Sequence, residues 1–175
     1  MSDNINFQDT ENTNEWINWI EEAIDKKHIR YYEYVHFSDI KEIGSGGFGK
    51  VFRANWRKTE KYFALKSFFS LNNITTKEIV NEIQRQREID FHDNVIRFCG
   101  ITKLYSENEI DQSKNYLIVM EYADGGKLRN YLKENFESLT WNNKCKLAYQ
   151  LACAVSCLHD EGIVHRDLVI VLILP

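Results

Sequence analysis

Zinc-type cysteine spacing is absent from this chain of 175 residues: Cys99, Cys145, Cys153 and Cys157 include no C-x-x-C pair, which argues against a zinc module. Cys153 and Cys157 fall one helical turn apart. Two thiols packed as small hydrophobes are expected there rather than a disulfide, and a reducing, cytoplasmic setting suits them. His28 and His36 have no partners at metal-ligating spacing and read as surface or satisfied histidines. No leader is expected from Met1 to Asn6, which is polar and carries no apolar core. The longest apolar run, Leu168 to Leu174, is far short of the ~20 residues that span a bilayer, so no membrane span is expected. Nor is there a surplus of positive charge. The net charge of −4 leaves no broad basic footprint for nucleic acid, and no nucleic-acid partner is expected.

The apolar content is sufficient for one domain with a real core. The stretch that organises the chain runs from Ile43 to Lys66. Ile43-Gly44-Ser45-Gly46-Gly47-Phe48-Gly49-Lys50-Val51 sets three glycines in a G-x-G-x-x-G-x-V frame between strand-like segments. Glycine lets a main chain approach a ligand closely, so such a loop can fold over a polyphosphate with its N–H groups inward. Lys66 lies on the next strand-like run, Tyr62 to Lys66, where a cation can reach the same phosphates. In dinucleotide folds the same glycine spacing is followed by a helix. Here Lys50 to Trp56 looks like the second strand of a hairpin, which disfavours that reading.

In chain order, residues 1–12 are polar, acidic and expected to be disordered. Asn12 or Thr13 could cap a helix from Glu15 to Lys27, in which Trp16, Ile17, Ile20 and Ile24 repeat at helical spacing. That stripe, Trp16 to Ile24, needs a partner surface: either the domain that follows or another protein. Tyr31 to Phe37 reads as a linker into a first strand at Ile40–Ile43. A helix is expected from Thr75–Thr76, with Ile79, Ile83 and Ile89 on its apolar face. Val95–Thr102 and Asn115–Met120 read as a strand pair joined by the polar loop Ser106–Lys114. The longest helix follows, with Thr140 as N-cap and a stripe of Leu147, Leu151, Val155 and Leu158 up to His159.

The glycine frame, the hairpin, Lys66 and the later run Ile163-Val164-His165-Arg166-Asp167-Leu168 together resemble a eukaryotic protein kinase, in the tyrosine-kinase-like branch with a lean to Ser/Thr transfer. The resemblance covers about Phe37 to Leu168. It implies an α+β fold with a complete N-lobe, made of a five-stranded antiparallel sheet and one main helix. The first helices of the C-lobe would follow, and the amphipathic helix would precede the whole. The implied divisions are 1–36, 37–123 and 124–175.

By the same resemblance the ligand is ATP. Gly44 to Val51, with Gly46 and Gly49, would cover its phosphates, Val51 and Ala64 would touch adenine, and Ile43 would belong to the same cofactor site. Lys66 would bind the α- and β-phosphates. Glu82 would orient Lys66, with Glu78 one turn earlier as the competitor and a solvated charge as the alternative. Met120 would be the gatekeeper, and Glu121 and Ala123 would hold adenine through their main chain. Asp167 would be the catalytic base, and the partners would be protein substrates or a full-length kinase relative.

The template breaks after Leu168. The family carries a metal-binding asparagine five residues beyond Asp167, and this chain has Leu172. Val169 to Pro175 holds no polar side chain, and the magnesium-binding Asp-Phe-Gly does not follow. The family's Mg²⁺ ligands are therefore not in this sequence, so an ATP-binding kinase chain without catalytic competence is expected, with a non-catalytic regulatory or protein-binding fragment as the alternative.

Overall fold

The computed structural model describes residues 7–46, 49–68, 76–89, 92–104 and 116–163, with only the backbone for 7–14, 76 and 78. Helix α1 spans Phe7–Asp25, eight residues longer at its start than the Glu15 boundary expected. No glycine or proline lies between Phe7 and Asn14 to stop a helix, so the capping residues Asn12 and Thr13 are absorbed into it. Its end is sharp. Lys27 takes the left-handed conformation (φ 57°), Lys27 N–H donates to Ile24 O at 2.8 Å, and His28 N–H donates to Ala23 O at 2.9 Å. This pair of bonds closes off the last helical carbonyls, here with lysine where glycine is usual. Ile20 and Ala23 are buried, so the stripe faces the chain's own fold.

The segment expected to be a linker contains structure. Strand β1 (Tyr31–Tyr32) runs parallel to β5 (Phe98–Lys103), with Tyr31 opposite Ile101 and Tyr32 opposite Thr102. A 3₁₀ turn at Tyr34–His36 follows. Two residues are too few for an alternation pattern to betray a strand. The remaining strands are β2 (Phe37–Gly46), β3 (Gly49–Trp56), β4 (Tyr62–Phe68) and β6 (Tyr116–Glu121). The sheet is thus six-stranded in the order β1-β5-β6-β4-β3-β2, the expected five plus a short parallel edge. Strand β2 begins at Phe37 rather than Ile40, because its first part pairs with the end of β3 through Phe37 opposite Trp56.

Strands β2, β3 and β4 form an antiparallel meander. Arg57 and Lys58 turn β3 into β4 with φ of 52° and 53°, the two left-handed positions that a tight hairpin turn demands. Thr59 N–H donates to Trp56 O at 3.0 Å across that turn. One face of the sheet carries the core: Tyr32, Phe37, Ala54, Phe63, Leu65, Leu117 and Val119 pack together, with Trp56 against them. Tyr32 meets Trp56 and Phe63 edge-on, with ring centroids 5.0 and 5.3 Å apart, the geometry that aromatic quadrupoles favour.

Helix α2 spans Thr76–Glu88 and buries Ile79, Val80 and Ile83. Ile89, expected on the same face, lies beyond its end and packs with Val95, Ala154 and Leu158. Helix α3 is Leu128–Asn135 and α4 is Trp141–Asp160. Thr140 caps α4, its hydroxyl accepting from Asn143 N–H at 3.2 Å. On α4 the buried residues are Ala154, Cys157 and Leu158, while Leu147, Leu151 and Val155 are half-buried. The chain divides into two compact units, Met1–Gln84 with Cys99–Met120, and Arg85–Phe98 with Glu121–Pro175. All four cysteines are free, including Cys153 and Cys157.

Candidate functional site

The glycine frame folds as a hairpin, with Gly44 opposite Val51, Ser45 opposite Lys50 and Gly46 opposite Gly49. Gly47 and Phe48 lie outside the described residues. The three glycines differ in what they face. A side chain at Gly44 or Gly46 would meet nothing within 4 Å among the described residues, whereas one at Gly49 would stand 1.8 Å from the carbonyl oxygen of Ser67. Gly49 is therefore required by the close approach of β4. Gly44 and Gly46 instead leave open surface that a ligand can approach. Ile43 is 46 % exposed, an apolar side chain left in solvent beside them.

The hairpin is also held by charge. Lys50 donates to Glu42 at 2.8 Å across the two strands. Asp39, itself left-handed at φ 50° where the register of β2 shifts, receives Lys41 at 3.1 Å and Arg53 at 2.9 Å. The hydrogen bond from Lys41, followed by the charges of Lys41 and Arg53, holds the Asp39 carboxyl below the ordinary aspartate range.

Register places the candidate ligand contacts on one face. Val51 pairs directly with Lys66, so their side chains share a side, and Ala64 lies two residues before Lys66 on that same side. Phe63 and Leu65, which alternate with them, point into the aromatic core. One strand thus builds the core with one face and presents Ala64 and Lys66 with the other. Helix α2 supplies the counter-charge: Lys66 Nζ donates to Glu82 Oε1 at 2.7 Å, with the side chains 26 % and 19 % exposed. Buried Ile79 and Ile83 flank Glu82 along the helix and fix the turn that carries it. The pair is charge-assisted and in the short range for an ammonium and a carboxylate. The side chain of Glu78 is not among those described.

Met120 ends the first unit on β6, the strand beside β4. Glu121 and Ala123 belong to the second unit, where Glu121 N–H donates to Arg97 O at 2.9 Å and Gly126 N–H donates to Ala123 O at 3.3 Å. Asp167 and Leu172 lie outside the described residues. No group of three or more potential metal ligands occurs among the described residues, and no helix among them is long and apolar enough to cross a membrane. Register and the ion pair therefore bring Val51, Ala64, Lys66 and Glu82 together on one face of the strands that continue from the glycine hairpin. The structure adds one residue that motif spacing did not single out, Phe68, whose ring lies under the Lys66 ammonium at 5.3 Å. The signal for it was plain alternation, two residues on from Lys66.

The family model for the protein kinase domain matches residues 37–170. Among curated proteins, the chain is 37 % identical over 141 residues to probable serine/threonine-protein kinase kinX of Dictyostelium discoideum, covering 78 % of this chain and 12 % of that one. It is 31 % identical over 140 residues to another probable serine/threonine-protein kinase of that organism, covering 78 % and 14 %. It is 30 % identical over 128 residues to LIM domain kinase 1 of Drosophila melanogaster, covering 73 % and 10 %. The chain thus spans about a tenth to a seventh of the length of these relatives.

Proposed function

The chain belongs to the protein kinase domain family, and on that premise we propose that it binds ATP and acts in phosphorylation of protein serine or threonine. The observation that carries this reading is the 2.7 Å pair of Lys66 and Glu82, with Lys66 on the strand next to a hairpin at whose Gly44 and Gly46 a side chain would meet no other described residue. In this reading the N–H groups of the hairpin and the Lys66 ammonium hold phosphate oxygens. Glu82 keeps the ammonium from swinging away, and Val51, Ala64 and Ile43 take the apolar faces of adenine. By the family resemblance, Met120, Glu121 and Ala123 are the candidates for holding adenine and Asp167 is the candidate for the catalytic base. ATP supplies the transferable phosphoryl group. The partly buried Lys66 ammonium and the glycine surface clear of other described residues support the phosphate part of this reading.

For Mg²⁺ the residues do not fit. Leu172 stands where the family places a metal-binding asparagine and has no donor atom. Charge developing on a transferred phosphoryl group then goes uncompensated at that position, and a base alone contributes little. We therefore assign the chain nucleotide binding with weak or absent turnover, the state of a regulatory relative that shares partners with active kinases. Titration of ATP with and without Mg²⁺, together with label transfer to a generic protein substrate, tests the assignment. Binding abolished by Lys66→Met, near indifference to Mg²⁺ and no label transfer are expected. Affinity rising tenfold with Mg²⁺, about 1.4 kcal/mol, or transfer that Asp167→Asn abolishes, would overturn the inactive reading. No ATP binding at all would overturn the nucleotide site.

A further inference from the structure

Phe68 is the half-buried aromatic residue on the same face of β4 as Lys66, two residues further on. The Lys66 Nζ lies 5.3 Å from the centroid of its ring, within the distance at which an ammonium is attracted by an aromatic face. The same nitrogen donates to Glu82 at 2.7 Å. A flexible four-carbon side chain is thus held from two sides, by a carboxylate on α2 and by a ring on its own strand. Gly49 is the residue opposite Phe68 on β3. Its missing side chain leaves nothing on β3 to compete with the ring for that face, and the 1.8 Å approach to Ser67 O forbids any replacement from doing so.

We propose that Phe68 is a positioning residue for Lys66, immobilising its ammonium in the Glu82-paired conformation that receives phosphate. Part of this rests on the nucleotide-site reading above. The contact itself does not. Lysine has more rotamers to lose than any residue around it, and ordering it is costly. A ring that favours the charged head in one place lowers the cost of keeping it there before any ligand arrives. A leucine would fill much of the same space yet offer no face of negative potential, so volume alone cannot replace the ring.

The test uses the full chain with ¹³C-labelled lysine ε-carbons, the Lys66 signal being assigned by its loss in Lys66→Arg. A ring beneath the side chain shields the ε-methylene protons, so these should be shifted upfield and mutually inequivalent without nucleotide. Phe68→Tyr should retain both signatures. Phe68→Leu should return the shift to that of the solvent-exposed lysines and weaken binding of ATP by about threefold or more, within the range of a cation over a ring. An unshifted Lys66 signal in the unaltered chain overturns the contact, whether or not Phe68→Leu folds. A shift lost in Phe68→Leu with ATP affinity unchanged overturns the positioning role. If the unaltered chain binds no ATP, the nucleotide reading fails, and the inequivalence of the ε-protons across the three chains still decides whether Phe68 holds the ammonium.

Discussion

Gly46 and Gly49 share a motif but answer to different forces. Gly49→Ala drives a methyl group into the Ser67 carbonyl, and an overpacked site of this kind costs about 1–3 kcal/mol. Gly46→Ala meets no described atom and should leave the thermal midpoint nearly unchanged. Equal destabilisation by both would refute the distinction. Lys66 and Glu82 should behave as a unit: Lys66→Met, Glu82→Gln and the double variant, assayed for ATP binding, should depart from additivity by about 0.5–3 kcal/mol. Additive losses would make Glu82 a bystander. Among the thiols, burial, reinforced by Glu161 and Asp160, pushes Cys157 up from the usual thiol range, whereas Cys145 is exposed. A raised pKa in the fold means the neutral thiol is favoured there. The associated stability is present below the ordinary thiol pKa and is lost as pH rises through the folded value. Iodoacetamide at mildly alkaline pH should therefore modify Cys145 first and Cys157 last in the native chain, and the order should disappear in denaturant. Early loss of Cys157 would contradict its burial.

At the scale of elements, α1 is fastened to the sheet by polar groups as well as by Ile20. The Tyr116 hydroxyl on β6 donates to the Glu21 carboxylate, and Lys103 on β5 lies 3.4 Å from Glu21 Oε1 and from the same hydroxyl. The Lys103 ammonium also stands 5.0 Å from the Tyr116 ring centroid. This is the same combination of lysine, carboxylate and ring that surrounds Lys66, used here to dock a helix. Tyr116→Phe keeps the ring and removes the hydroxyl, so it should cost about 1 kcal/mol and increase protease cleavage within α1. A variant with unchanged stability and unchanged cleavage would show that apolar packing alone seats the helix. The stripe from Trp16 to Ile24 had two readings in the sequence, packing within the chain or on a partner. Periodicity identifies an apolar face without naming what covers it, and only buried Ile20 and Ala23 decided the matter.

Across the whole molecule, burial is uneven. The first unit has the aromatic core between Tyr32 and Val119, while the second gathers Ile89, Val95, Ala154 and Leu158. Helix α3 buries none of its residues, and Trp141 and Tyr149 on α4 are 77 % and 71 % exposed. Native-state hydrogen exchange should accordingly be slowest in β3, β4 and β6 and fastest in α3. Protection of α3 equal to that of β4 would show a cooperativity that this distribution of contacts does not predict.

Much of this was written in the chain itself. Glycine spacing followed by strand-like residues specified the hairpin, and the strand-like run from Tyr62 carried Lys66. The Thr140 cap of α4 came from a local signal that acts within a few residues and survives folding unchanged, whereas the bounds of α3 came from the family resemblance. The match of residues 37–170 to the protein kinase family was likewise legible as ordered motifs. What local signals do not carry was settled by tertiary structure. A two-residue strand at Tyr31–Tyr32 exists only because β5 offers it a parallel partner. The left-handed Lys27 closes α1 without the glycine that would have announced it. Lys66 pairs with Glu82, sixteen residues away in sequence, through helix α2, and Phe68 meets the same ammonium because strand pleating returns every second side chain to one face. Sequence determines which groups are present and how they repeat. Which of them come within reach of one another is fixed only when the sheet and its helix close together in space.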